Sequence, residues 1–276
     1  MSSHQPLGIF DSGVGGLSIA RAVHRLMPAE SLLYIADSRH APYGDKPLEF
    51  ILQRALTLTD YLVGQGAKAI VVACNTATLA TVHRLREHFA LPIIGVEPGV
   101  KPAVLGSRSG VVGVLATRAT VASPGTRDLI RRFAGERRVL LQPCPGLAER
   151  VERLELDSPD TRALVRRYLT PLLAAGVDTL VLGCTHYPFL TPLIADEAGP
   201  GVELIDTADA VARQVQRRLL QRGDLNPPGC CASVRLLSSH ADPAAQALLR
   251  SLWGRHAQVA ALDETCCLAP ALTAPA

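Results

Sequence analysis

Short apolar runs, each too brief for a helix, recur along the chain and alternate with stretches whose apolar residues fall three or four positions apart. The runs predict strands at Leu7–Phe10, Ser31–Ala36, Ala69–Cys74, Ile93–Val96, Val111–Leu115, Val139–Gln142, Thr179–Cys184 and Val202–Ile205. The helical spacing predicts helices at Leu17–Leu26, Pro47–Gly64, Thr76–Phe89, Pro124–Ala134 and Ser158–Ala174. Strands that are apolar throughout, in alternation with helices, imply an α/β fold with mainly parallel sheets covered on both faces. Ligands in such folds gather beyond the carboxyl ends of the strands. After Asp206 the pattern changes to a long helix, Ala208–Gln221, and a Pro-Pro-Gly loop. A strand at Val234–Ser238, a helix at Pro243–Trp253 and a strand at Val259–Leu262 follow.

One stretch of this pattern occurs twice. Gly66-Ala67-Lys68-Ala69-Ile70-Val71-Val72-Ala73-Cys74-Asn75-Thr76 is matched without a gap by Gly176-Val177-Asp178-Thr179-Leu180-Val181-Leu182-Gly183-Cys184-Thr185-His186. The offset is 110 residues (184 − 74). Gly8 to Ser12 is echoed by Gly113 to Thr117, and Ile93 to Glu97 by Glu203 to Asp206. The echoes keep one chain order, which predicts two similar, pseudo-symmetric α/β domains with the active site in the cleft between them. The first domain is expected to comprise residues 1–97 plus 208–267, because the tail must return to complete it. Residues 98–207 form the second, and the Ala/Pro-rich residues 268–276 are expected to fray. The loop Asp37 to Lys46 has no counterpart in the second half.

Bulk properties narrow the class. A chain of 276 residues, 48% hydrophobic, with a mean hydropathy of +0.20, has a well-filled core and can make two compact domains or one large one. Net charge is only +3 and the 28 basic residues are dispersed, with no basic block interleaved with aromatics, so no nucleic-acid partner is expected. Arg131-Arg132 and Arg137-Arg138, the densest cluster, read as solvated faces. Met1 to Pro6 lacks the charged and apolar regions of a secretory signal. The apolar runs stop well short of the ~20 residues a membrane span needs. The seven cysteines include the adjacent pairs Cys230-Cys231 and Cys266-Cys267 but no Cys-x-x-Cys or Cys/His ligand spacing, so no metal site is expected. Free thiols suit a reducing compartment, and the expected location is cytoplasmic.

Candidate chemistry centres on Cys74 and Cys184. Each ends a strand and precedes a polar pair suited to a helix start. There the unpaired amides and positive dipole end would lower a thiol pKa from roughly 8.5. The same amides, with the Thr76 and Thr185 hydroxyls, could hold a carboxylate. His186 could stabilise a thiolate or pass protons. Asp11, one residue past the first strand, reads either as a catalytic carboxylate or, with Ser12, as a helix cap. The Asp11-to-Gly16 loop lacks the spacing of a dinucleotide or Walker loop. In Pro42-Tyr43-Gly44, backbone amides and the phenol could close over a small polar ligand, or form a surface turn. Glu152 has no special claim from the residues alone.

Several segments, in order and spacing, closely resemble the glutamate racemase family of the aspartate/glutamate racemase superfamily. They are Gly8 to Leu17, Ala41-Pro42-Tyr43-Gly44, Ala73 to Thr78, Gly95 to Gly99, Gly183 to Pro188 and Ile205 to Ala208. The resemblance covers about Leu7 to Asp263. It implies a racemase without cofactor, in which Cys74 and Cys184 are the two acid/base thiols. Asp11, Ser12, Pro42, Tyr43, Gly44, Asn75, Thr76, Thr185 and His186 would bind substrate. Asp11 and His186 would also assist the thiols, as would Glu152 on the Cys184 side, although Gly146 to Arg150 departs from the family pattern and Glu149 competes for that role. The implied reaction interconverts L- and D-glutamate and supplies D-glutamate for peptidoglycan, with a small-molecule substrate and a homodimer left open. The rival readings are racemisation of aspartate, a hydantoin or another α-substituted acid, a Cys184–His186 thiol hydrolase, and a non-catalytic amino-acid-binding module.

Overall fold

The computed structural model describes residues 5–240, 242–254, 257–263 and 266. Ten strands run β1 (Leu7–Asp11), β2 (Leu32–Ala36), β3 (Ala69–Val72), β4 (Ile93–Gly95), β5 (Val111–Ala116), β6 (Arg138–Pro143), β7 (Thr179–Leu182), β8 (Glu203–Ile205), β9 (Val234–Ser238) and β10 (Gln258–Ala261). The helices are α1 (Leu17–Leu26), α2 (Leu48–Gly64), α3 (Asn75–His88), α4 (Val100–Gly106), α5 (Arg118–Ala122), α6 (Pro124–Phe133), α7 (Leu147–Glu152), α8 (Pro159–Ala174), α9 (Thr191–Ala198), α10 (Ala208–Arg222) and α11 (Pro243–Trp253). Every expected strand and helix is present, with ends displaced by no more than two residues. The helices the pattern did not predict, α4, α5, α7 and α9, have only five to eight residues. That is too short for a periodic apolar face to declare itself.

The strands form two wholly parallel sheets, ordered β10-β9-β2-β1-β3-β4 and β6-β5-β7-β8. The order 2-1-3-4 of the first sheet is repeated as 6-5-7-8 in the second. In both, chain order reverses beside the central pair, β1/β3 or β5/β7, where crevices open at carboxyl ends of strands. Asp11 ends β1, and Cys74 and Cys184 follow β3 and β7, so the reactive residues fall at the same topological point of each sheet. The late strands β9 and β10 lie beside β2 in the first sheet.

Apolar packing ties the two sheets together. One buried cluster runs from Leu7, Ile9 and Val71 through Val211, Val215 and Leu219 of α10 to Leu115, Leu180 and Tyr187. Separate clusters fill the opposite faces of the first sheet, around Phe10 and Val72, and of the second, around Val114 and Val181. Among the described residues no helix is long and apolar enough to cross a membrane.

The repeat also explains two polar anchors. Lys68 and Asp178 occupy equivalent positions (178 − 68 = 110), just before β3 and β7. Lys68 Nζ lies 2.6 Å from Glu30 Oε2 and donates to the Asp224 carbonyl at 2.7 Å and to Asn226 Oδ1 at 3.0 Å. Asp178 accepts from the Ser107 hydroxyl at 2.7 Å and from the Arg108 and Ser109 amides at 2.8 and 2.6 Å. These donors hold its carboxyl far below the usual carboxylate range against a smaller burial effect than their sum. Each anchor pins a connection at the amino end of its strand, opposite the cysteine. Lys68→Met should leave the buried Glu30 carboxylate uncompensated and lower the unfolding free energy by about 3–5 kcal/mol. Urea denaturation checks this, and an unchanged midpoint would show that the pair contributes nothing.

Candidate active site

The first thiol sits where β3 meets α3. Cys74 is the residue that caps α3, with extended backbone (φ −127°, ψ 121°), and its sulfur accepts the Ala77 amide at 3.4 Å. On its other side the thiol donates to Ser12 Oγ at 3.8 Å, and that hydroxyl points to Asp11 Oδ1 at 3.5 Å. Asp11 is fully buried, and its Oδ2 accepts the Gly16 amide at 2.6 Å and the Thr185 hydroxyl at 3.4 Å. Cys74, Ser12 and Asp11 thus form a sulfur–hydroxyl–carboxylate line.

A second line of different chemistry faces it. Cys184 Sγ lies 3.7 Å from His186 Nδ1, and His186 Nε2 lies 2.7 Å from Glu152 Oε1. That oxygen also accepts the Val14 amide at 2.8 Å, so a carboxylate from α7 touches the glycine loop after β1. Between Glu152 and its competitor Glu149, it is Glu152 that reaches His186. The helix start expected at Cys184 is absent. A single 3-10 turn, Tyr187–Leu190, comes first, and α9 begins only at Thr191. Pro188 and Pro192 each fall in the first turn of these elements, where a missing amide costs no ladder bond.

Electrostatics also departs from expectation. Instead of falling, the Cys74 thiol is pushed well above the usual thiol range. Burial is the main cause, the Asp11 charge adds to it, and the Ala77 amide opposes it too weakly. The Cys184 charge contributes in the same sense, which places the two sulfurs within each other's field. Burial likewise raises Asp11, against the charge of His186 and the amides of Gly16 and Ser12. Burial pulls the His186 imidazole down, but bonds and charge from Cys184 and Glu152 outweigh it and hold the ring protonated well above its usual range. Burial thus raises the thiol pKa on one side, while Cys184 and Glu152 raise that of the imidazole on the other.

The remaining expected residues differ in what they contact. The Thr76 hydroxyl lies 3.0 Å from Thr117 Oγ1 and 3.3 Å from Thr120 Oγ1, and Asn75 Nδ2 donates to the Val96 carbonyl at 3.4 Å. A Cβ on Gly44 would come within 2.9 Å of Thr117 Cβ, so the Pro42–Gly44 loop rests directly on the second half. The Tyr43 phenol does not face this space. It donates to Asp37 Oδ2 at 2.5 Å, and Arg54 holds the same carboxylate through two bonds of 2.9 Å. All three side chains are buried.

Sequence reasoning missed Thr117, Thr120, Asp37 and Arg54. Thr117 had a signal, because it is the echo of Ser12 in the repeat. Arg54 had none, since one arginine in an amphipathic helix reads as solvent-exposed. Of the cysteines outside the site, Cys144 is buried, Cys230 and Cys266 are half-buried, Cys231 is exposed, and Cys267 lies outside the described residues.

Two parallel sheets meeting at their carboxyl ends, with a thiol on each side of the cleft, define a class of protein, and comparison with known proteins agrees. The chain belongs to the Asp/Glu/Hydantoin racemase family, whose profile matches residues 17–215. It is 58% identical over 217 residues to the glutamate racemase of Methylococcus capsulatus, covering 79% of this chain and 80% of that one. The crystal structure of glutamate racemase isoform RacE1 from Bacillus anthracis superposes with a TM-score of 0.87 at 32% identity, covering 95% and 99% of the two chains. Escherichia coli glutamate racemase, solved with L-glutamate and the activator UDP-MurNAc-Ala, gives a TM-score of 0.82 at 31% identity over 93% and 98%.

The raised Cys74 pKa has a direct consequence for labelling. The thiolate is the reactive form, so alkylation of Cys74 in the substrate-free protein should be slow at neutral pH. It should keep rising with pH beyond the point, near pH ~8.5, where an ordinary thiol levels off. Mass-spectrometric mapping across pH checks this, and fast, pH-independent labelling of Cys74 would contradict it.

Proposed function

We propose that this chain interconverts L- and D-glutamate by a two-base proton transfer between Cys74 and Cys184, without metal or pyridoxal phosphate. The observation that supports it most directly is the pair of facing lines, Cys74–Ser12–Asp11 and Cys184–His186–Glu152. Each leads from a sulfur to a carboxylate, and the two come from opposite halves of the chain. A thiol hydrolase needs only one of them.

The substrate α-carbon is placed between the two sulfurs. Its ammonium group is assigned to Asp11 and Thr185, where a positive charge offsets the Asp11 carboxylate and brings down the pKa of the neighbouring Cys74. One thiolate removes the α-proton from one face while the opposite thiol delivers its own proton to the other. Cys74, whose thiol pKa burial raises well above the usual range, is the proton donor toward one enantiomer. Return to the starting protonation state follows product release. The α-proton of an amino acid is weakly acidic, so the developing carbanion and its carboxylate need donors already in place. Here the backbone amides after β3 and β7 and the Asn75 side chain are assigned to that purpose. The family resemblance assigns Cys74 to D-glutamate and Cys184 to L-glutamate.

The side-chain carboxylate is assigned to the Thr76–Thr117–Thr120 hydroxyls beside Gly44, a site with contributions from both halves. A site built to hydrogen-bond a group rejects analogues that lack it, because its buried polar groups are then left unpaired. The chain has only three lysines, and Lys68 is committed to Glu30, which disfavours a Schiff-base route. The same reading makes D-glutamate a peptidoglycan precursor and takes a reducing cytoplasm as the compartment in which the thiols stay free. A homodimer is the assembly to test by scattering.

In deuterated water the product enantiomer should gain deuterium at Cα from the first turnovers while unreacted substrate gains little, in the presence of a chelator and without added cofactor. NMR with polarimetry measures both. Loss of activity on exhaustive chelation, restored by one metal, would sink the cofactor-free claim. Rapid deuterium wash-in to unreacted substrate would sink the two-base claim.

Thr117→Val and Thr120→Val should raise KM for glutamate more than they lower kcat, by about 1–3 kcal/mol of lost binding each. They should have little effect on slow turnover of an analogue lacking the side-chain carboxylate. Equal effects on both substrates would move that carboxylate elsewhere.

A further inference from the structure

The loop after β1 is held from within its own half. Tyr34 donates its phenol proton to the Gly13 carbonyl at 2.6 Å, and the Gly16 amide is bound to Asp11 Oδ2 at 2.6 Å. None of its three glycines has a positive φ, so backbone conformation does not demand glycine at these positions. Space does, and different glycines make room for different partners.

A Cβ on Gly13 would lie 1.9 Å from Glu152 Oε1, and one on Gly15 would lie 2.4 Å from His186 Nδ1. Both partners come from the other half and both serve Cys184. A Cβ on Gly16 would instead meet Asp11 Cβ at 2.7 Å and Ala73 Cβ at 3.0 Å, within the first half and beside Cys74. Between Gly13 and Gly15, the Val14 amide supplies the second hydrogen bond to Glu152 Oε1.

We propose that Gly13 and Gly15 are positioning residues for the Cys184 side of the reaction. The space left by their missing side chains seats Glu152 and His186 of the opposite half, so this thiol's acid/base line is assembled only when the two halves meet. The Cys74 line is built within the first half and is anchored by the Gly16 amide, with Thr185 making only a 3.4 Å contact from across the cleft. The two thiols therefore depend unequally on the meeting of the halves. This rests on the reading of Cys74 and Cys184 as the two bases.

Racemisation alone cannot reveal such an asymmetry. Enantiomers have equal free energy, which fixes kcat/KM to be equal in the two directions. A one-way reaction separates them: elimination from a glutamate analogue carrying chloride on Cβ. The base takes the α-proton, the Cα–Cβ double bond forms, and chloride leaves with its bonding pair. Each Cα enantiomer then reports on one base. Cys74→Ser and Cys184→Ser identify which enantiomer belongs to which thiol.

Gly13→Ala and Gly15→Ala should lower elimination from the Cys184 enantiomer by ~10²-fold or more, the range of general acid–base assistance, and from the other by less than about threefold. Retained elimination from that other enantiomer is also the proof that each variant is folded. Gly16→Ala should show the opposite bias. Glu152→Asp, which withdraws the carboxylate by one methylene, should raise the Cys184-side rate of Gly13→Ala above that of Gly13→Ala alone. If the serine variants fail to divide the enantiomers, the two-base reading falls and the proposal with it. If they divide them and Gly13→Ala lowers both rates equally or neither, the proposal alone is overturned.

Discussion

Glu152 Oε1 accepts one hydrogen bond from the imidazole of its own half and one from the Val14 amide of the other. A carboxylate oxygen has two lone pairs on offer, and here both are committed at 2.7–2.8 Å. It can keep both only if the carboxyl ends of the two sheets meet at a fixed separation. Its carboxylate sits against Gly13, where a side chain would displace it. Everything else at the cleft follows from that separation. Thr185 reaches Asp11, Gly44 rests on Thr117, and three threonine hydroxyls from two halves lie within hydrogen-bond distance of one another.

The repeated strand order converts a sequence repeat into a spatial one, but the two copies have diverged in chemistry. One sulfur has a hydroxyl and a buried carboxylate beyond it, the other an imidazole and a carboxylate. Burial acts on both sides, yet it leaves Cys74 holding its proton while His186 stays charged beside Cys184. A reaction that takes a proton from one face of a carbon and returns another to the opposite face needs one group to start as acid and the other as base. Two identical environments would not provide that difference. The divergence of the copies is what distinguishes the partners.

The loop from Asp37 to Lys46 has no counterpart in the second half, and its position depends on a buried ion pair. Arg54 and the Tyr43 phenol converge on Asp37, which leaves β2 beside Asp11. Removing that charge from water is costly unless every oxygen is satisfied, and here the guanidinium fork and the phenol satisfy them. The phenol proton is therefore committed to Asp37. The backbone around Gly44 is what the loop presents to the cleft.

The parallel α/β sheets, their strands and the longer helices were legible in the chain because apolar periodicity is a local property. The ungapped match around Cys74 and Cys184 was legible for a similar reason: equal strands with equal exits end at equal places. The short helices α4, α5, α7 and α9 were not, since five to eight residues carry too little periodicity. Nor was the delay of the helix after Cys184, whose polar exit looks the same as the one at Cys74. Tertiary structure alone decided the direction of the Cys74 pKa shift. A helix start lowers a thiol pKa by a local field, but desolvation depends on what the rest of the chain packs around it. It also decided that Glu152 and not Glu149 reaches His186, that Arg54 is buried, and that Gly13 and Gly15 after β1 abut the opposite half. Each of these is a contact between residues tens to more than a hundred positions apart, and no local pattern encodes the distance between two sheets.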